Sequence, residues 1–125
     1  MTENEISYEI RGAIFDVYNN LGPGLLESAY EAALGFELGR RGLFYAKQVP
    51  LSMQYESIQL DVCYRLDFLV EDKVIIEIKS VESLLNVHHK QLITYLKLSG
   101  LKLGILVNFN TDEIAKSIFR KVNGI

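Results

Sequence analysis

The chain has 125 residues, of which 49% are hydrophobic and 23% charged, with one cysteine and a formal net charge of −3. That composition excludes a disordered chain and a disulfide scaffold, and no apolar run approaches the ~20 residues of a membrane span. It also argues against a generic basic nucleic-acid coat. The charge is uneven: residues 1–72 hold 5 basic and 12 acidic side chains, residues 73–125 hold 8 basic and 4 acidic. A local basic surface is thereby permitted, and any phosphate-binding footprint is expected to be small. Length and the lack of repeats or Pro/Ser-rich linkers point to one domain over residues 1–125. The acidic N-terminus, Met1 to Glu5, has no apolar signal core, so a soluble cytoplasmic protein is expected.

Ile6, Ile10, Ala13, Ile14, Val17, Tyr18 and Leu21 recur at spacings of three and four, the stripe of an amphipathic helix. Gly22-Pro23-Gly24 ends it, because proline disfavours helical geometry in the residue before it and glycine admits positive φ. A second helix is predicted with Leu25, Leu26, Ala29, Tyr30, Ala33, Leu34 and Leu38 inward and Gly42 as its cap. The period then changes. Val49, Leu51, Met53 and Tyr55 alternate with polar neighbours as a half-buried strand, in which Pro50 marks an edge or a bulge. Even positions from Ile58 to Val70 are all apolar, predicting a second strand with those side chains on one face, and Val74, Ile76 and Ile78 continue as a third. A helix from about Leu84 to Leu98 ends at Ser99-Gly100. The apolar run Leu103–Phe109 reads as an internal strand covered on both faces, and Ile114, Ile118, Phe119 and Val122 form a short amphipathic tail. The order α-α-β-β-β-α-β is that of an α/β protein with a mixed central sheet flanked by helices.

Hydrophobic matching registers the hairpin between the second and third strands, since both must present their apolar sets to the same face. Val70 then pairs with Val74, Phe68 with Ile76 and Leu66 with Ile78, through the loop Glu71-Asp72-Lys73. The same register sets Asp67 across from Glu77 on the opposite face, with Lys79 two residues on. Facing carboxylates repel unless something neutralises them. A divalent cation would do so: Mg²⁺, for which Mn²⁺ substitutes, takes one or two carboxylates and leaves positions for water and phosphate. A lysine beside it can stabilise charge on a phosphate or position water. The alternative is a solvated polar face on which Lys79 screens Glu77 and Arg65 screens Asp67.

Asp67, followed after nine residues by Glu77-Ile78-Lys79, resembles the metal-site motif of the PD-(D/E)XK nuclease superfamily. Gly24-Leu25-Leu26-Glu27-Ser28-Ala29-Tyr30 is similar to the signature that names the GxxExxY family within it. The stretches Tyr64–Asp67, His88–Leu96 and Gly104–Phe109 also resemble that family, so the likeness runs from about Ile10 to Phe109. It implies a restriction-endonuclease-like fold with an αβββαβ core, in agreement with the order above. One departure is Leu66, which stands where the superfamily's name has a proline; that proline is not a ligand. The resemblance implies a Mg²⁺-dependent nuclease that hydrolyses phosphodiester bonds of DNA or RNA. Asp67, Glu77 and the Ile78 carbonyl would hold the ion, and Glu27, directly or through water, would complete the site. Lys79 would position water and stabilise the transition-state charge, and Gln91 would orient the substrate.

Several of these residues have a plainer reading. Glu27 sits in the first turn of its helix, where a carboxylate interacts favourably with the helix dipole. His88, Gln91 and Tyr95 lie at i, i+3 and i+7, one stripe of the third helix. Gln91 to Tyr95 also reads as QxxxY, a motif seen beside the metal site in the recombination-helicase branch of the superfamily. Gln91, His88 and Arg65 are the candidate substrate-binding residues. Tyr95 reads as packing, Tyr30 as a core residue or a support behind the site, and His89 as solvent-facing. Cys63, roughly 13 Å along the strand from Asp67, has no support as a nucleophile. The rival function is a catalytically inactive nuclease-fold adaptor or subunit that binds a protein, a nucleic acid or a second copy of itself. The intact Asp67-Glu77-Lys79 set favours the enzyme; the acidic surface and small size favour the adaptor.

Overall fold

Thr2 starts the first helix by a reciprocal cap: its hydroxyl accepts from the Glu5 amide, and the Thr2 amide donates to the Glu5 carboxylate. In the computed structural model, which describes residues 1–124, that helix is α1 (Glu3–Leu21) and is followed by α2 (Glu27–Arg40). Strands β1 (Tyr45–Tyr55), β2 (Ile58–Val70) and β3 (Val74–Lys79) come next, then α3 (Asn86–Ser99) and β4 (Leu103–Asn108). A single 3₁₀ turn (Ile114–Lys116) and strand β5 (Ile118–Val122) complete the order. The sheet runs β1-β2-β3-β4-β5, with β3 and β4 parallel across the α3 crossover and all other neighbours antiparallel. It is the mixed sheet flanked by helices of a restriction-endonuclease-like fold.

Each face of the sheet has its own core. Ile6, Ile10 and Ile14 of α1 with Tyr30, Leu34 and Leu38 of α2 pack on Phe68, Ile76, Ile105 and Val107. On the other face Leu92, Tyr95 and Leu96 of α3 pack on Leu66, Ile75 and Leu106. Gly104 makes that second layer close, since a Cβ there would lie 2.7 Å from Leu92 Cδ1. Among the described residues, no helix is long and apolar enough to cross a membrane.

Four expectations need correction. Leu25 and Leu26 precede α2 and are exposed, because the helix starts only at Glu27. The C-terminal tail supplies an edge strand, β5, which pairs antiparallel with β4 and covers its open hydrogen-bonding side. The apolar set of β2 does not share one face. Ile58 (62% exposed) and Val62 (47%) project beyond the helices on the β1–β2 hairpin, Leu66 packs under α3, and Phe68 and Val70 pack under α1 and α2. The expected Leu66–Ile78 pair is therefore absent: the β2–β3 ladder runs from Val70↔Val74 to Phe68↔Ile76, and the two side chains lie in different cores.

The switch of faces has a local cause. In β1, Tyr45 packs with the α1–α2 core, yet Val49 and Leu51 pack under α3, so regular alternation fails between them. Gln48, at φ 52°, is where the strand turns over. The β1–β2 register continues past it from Lys47↔Phe68 to Val49↔Leu66, leaving Gln48 and Asp67 as the one level without a ladder pair between them. Irregularities of this kind re-aim side chains next to functional sites. Pro50, as expected, lies on an edge strand, and a further irregularity falls between Ser52 and Gln54.

Candidate functional site

The middle strand β3 is covered on both faces, so its residues are buried from Val74 to Ile78, and Glu77 is carried inward to 6% exposure. Asp67 lies across from it at the level where β2 changes face. There the Asp67 amide donates to Glu77 Oε2 at 2.8 Å, and the Ile78 amide donates to Asp67 Oδ2 at 2.7 Å. The carboxylates accept backbone amides just beyond the point where the regular ladder stops. Neither acid is ion-paired among the described residues.

Both acids resist ionisation. Burial, followed by repulsion from Asp67, pushes the Glu77 carboxyl up to about 8, against the Asp67 amide and the charge of Lys79. Burial also holds Asp67 above its ordinary value, offset in part by the Ile78 amide and Lys79. Lys79, half-buried at the end of β3 and paired with Asn108 of β4, is near enough to act on both. The Ile78 side chain points into the α1–α2 core, so only its backbone faces the acids' chemistry.

Glu27 is exposed at the start of α2, and its charge repels both acids. It does not join them as a third close ligand: among the described residues no three His, Cys, Asp or Glu side chains gather as a metal-binding group. The loop ahead of it is tightly held. Gly24 takes φ 97°, Tyr30 Oη donates to the Gly22 carbonyl at 2.6 Å and accepts from the Leu25 amide at 3.2 Å, and Ser80 Oγ donates to the Leu25 carbonyl at 2.6 Å. Tyr30 itself is core, stacked on Phe109 with centroids 4.4 Å apart. The Gly24-to-Tyr30 segment is thus one clamp fastened to the end of β3.

On α3, Tyr95 packs against Tyr64 at 5.6 Å, as a packing residue should. Burial first, and then the nearby Glu77 charge, raises its phenol, with Gln91 beside its hydroxyl. Tyr95 therefore lies within reach of the Glu77 charge. His88 is partly committed: its Nδ1 accepts from the Leu85 amide at 3.0 Å, which caps α3 and leaves Nε2 for any other partner. Arg65 is exposed and donates to the Gln48 carbonyl at 3.4 Å, so it does not screen Asp67 through an ion pair. His89 is not turned to solvent as expected; it packs edge-on against Phe119. Sequence reasoning also passed over Ser80 and Asn108. Asn108, buried, accepts from the Val81 amide and donates to the Val81 carbonyl, fixing the segment after Lys79. A lone amide inside an apolar strand run was its signal.

The acids suit a hard divalent cation. Asp67 Oδ1 and Glu77 Oε1 have no hydrogen-bond partner among the described residues, since only the second oxygen of each takes an amide. Two carboxylates are within the one or two through which Mg²⁺ is usually bound, with water and substrate phosphate supplying the rest.

A family model described as the PD-(D/E)XK nuclease superfamily matches residues 4–121. The solved structure of a protein called SSO0001 is similar in fold, at a TM-score of 0.57 and 24% sequence identity over 78% of this chain. The match covers 50% of that protein, so the present chain spans only about half its length. No curated protein matches the chain.

Proposed function

This chain belongs to the PD-(D/E)XK nuclease superfamily, and from that premise we propose that it is a Mg²⁺-dependent phosphodiesterase of nucleic acid, in the GxxExxY branch. The observation that carries the reading is the unpaired couple of buried Glu77 and half-buried Asp67, each acid with one oxygen held by a backbone amide and one left over. Asp67 and Glu77, with the Ile78 carbonyl, would hold the cation, and Glu27 would act through water. The bound cation supplies the positive charge that this couple lacks and that a phosphodiester under attack requires. Lys79 places its ammonium beside the scissile phosphate, where it orients water and offsets developing charge. Gln91 donates to a phosphate oxygen, and His88 Nε2 and Arg65 hold the flanking strand. Nucleic-acid binding is weak, in keeping with a net charge of −3. Mn²⁺ replaces Mg²⁺, and anomalous density between Asp67 and Glu77 in a Mn²⁺-soaked crystal would locate the ion.

The decisive experiment incubates the purified chain with plasmid and single-stranded oligonucleotides in Mg²⁺ or in chelator. Cleavage that needs Mg²⁺ and disappears in Lys79→Ala supports the reading; retained cleavage by the variant, or none by the wild type, overturns it. The rival, a subunit that binds a partner without cleaving, is favoured by the exposed apolar tip of the β1–β2 hairpin, where Tyr55 and Ile58 are 63% and 62% exposed.

A further inference from the structure

A polar crevice of about 320 Å³ opens over the ends of β4 and β5 and against the Glu82–Leu84 segment. Asn108, the ladder partner of Lys79, lines it. That pairing puts the Asn108 backbone one strand spacing, about 4.8 Å, from the Lys79 backbone. Part of its lining is aromatic: His89 of α3 and Phe119 of β5 meet edge-on, centroids 4.9 Å apart at 79°. Lys121 Nζ stands over the Phe119 ring, 5.8 Å from its centre.

The remaining lining is polar and unevenly satisfied. Ser117 Oγ donates to Thr111 Oγ1 at 2.9 Å, so those hydroxyls are engaged. Asn110 gives one amide hydrogen to the Val81 carbonyl and keeps its Oδ1 and second hydrogen without a partner among the described residues. Burial, with Lys121 adding to it, holds His89 below its ordinary pKa, so at neutral pH its ring offers one donor and one acceptor. Nothing in the proposed chemistry uses these groups.

We propose that this crevice takes one unpaired nucleobase of the strand whose phosphate meets Asp67 and Glu77, which makes the substrate nucleic acid with a single-stranded segment. A base has a π-face for the His89–Phe119 wall and donor and acceptor edges for the Asn110 amide. A paired, stacked base cannot enter without being extruded. Lys121 meets the flanking phosphate. This inference rests on the nuclease reading for its strand path, but its test is a binding measurement that needs no cleavage.

The test measures affinity for fluorescent dT and U 12-mers and for an abasic chain of the same length and charge, with Ca²⁺ replacing Mg²⁺. The wild type should bind the base-bearing chains at least about fivefold more tightly than the abasic one, the order of a single base–aromatic stack. Phe119→Ala and His89→Ala should each lose most of that preference while binding the abasic chain within about twofold of wild type. Phe119→Leu serves if the alanine variant unfolds. Equal wild-type affinity for both chains, no binding to either, or equal losses on both in the variants overturns the proposal. A wild type that prefers bases without ever cleaving leaves the crevice standing and removes the nuclease; a cleaving wild type blind to bases does the opposite.

Discussion

Asp67 and Glu77 hold each other's strands: Glu77 accepts the amide of Asp67, while Asp67 accepts the amide of Ile78, the residue after Glu77. The exchange fixes both carboxylates without neutralising either. A preorganised pair of this kind stores repulsion in the metal-free fold, and that repulsion is measurable.

Its first consequence is a dependence of stability on pH. The folded-state pKa of Glu77, about 8, lies above its ordinary value of 4.5. Between those values the unfolded chain has released the proton and the folded chain retains it, so stability falls as pH rises through this window. The slope reaches up to about 1.4 kcal/mol per pH unit for one proton. In chelator, the melting temperature should drop by several degrees from pH 5 to pH 8.5, and Glu77→Gln should flatten the curve. A wild-type curve as flat as the variant's would place Glu77 in water.

Asp67→Asn removes charge and keeps an oxygen for the Ile78 amide. In chelator it should melt above the wild type, with the gap widening from pH 6 to pH 9 as Glu77 ionises. Mg²⁺ or Mn²⁺ should raise the wild type by mass action and the variant much less, so the order inverts at high metal. Identical shifts for the two proteins across a millimolar Mn²⁺ titration would remove the metal site.

Tyr30→Phe keeps the stack on Phe109 and deletes both bonds that clamp the loop before Glu27. It should cost about 1–2 kcal/mol of stability. Cleavage should fall further than stability accounts for when both are measured well below the melting temperature. Unchanged cleavage would separate Glu27 from the chemistry.

The small basic footprint is tested by salt. A plot of log affinity against log salt for duplex DNA should have a slope magnitude below about 4, since each neutralised phosphate adds roughly 0.9. A slope near −8 would contradict it.

The hairpin register was legible because only one alignment matches Val70 with Val74 and Phe68 with Ile76, and that alignment brings Asp67 to Glu77. The turnover of β1 at Gln48 was not. An unbroken series of apolar even positions looks the same whether a strand keeps its face or changes it, and positive φ in a glutamine has no marker in composition. Strand β5 was hidden for a related reason: Ile118, Phe119 and Val122 suit a helix stripe as well as an edge strand. His89 was misjudged because its packing partner, Phe119, lies thirty residues away and only the sheet brings them together. Glu27 and Gln91 could be singled out only through resemblance, since spacing alone does not place a helix end over a strand end.

The swapped amides give each acid an isotopic reporter on the strand it does not belong to. Glu77→Ala should speed deuterium exchange at the Asp67 amide, and Asp67→Ala at the Ile78 amide, while neighbouring ladder amides such as those of Phe68 and Ile76 keep their protection. Two resonances in one spectrum then report the position of each carboxylate separately, in any buffer and with no substrate in hand.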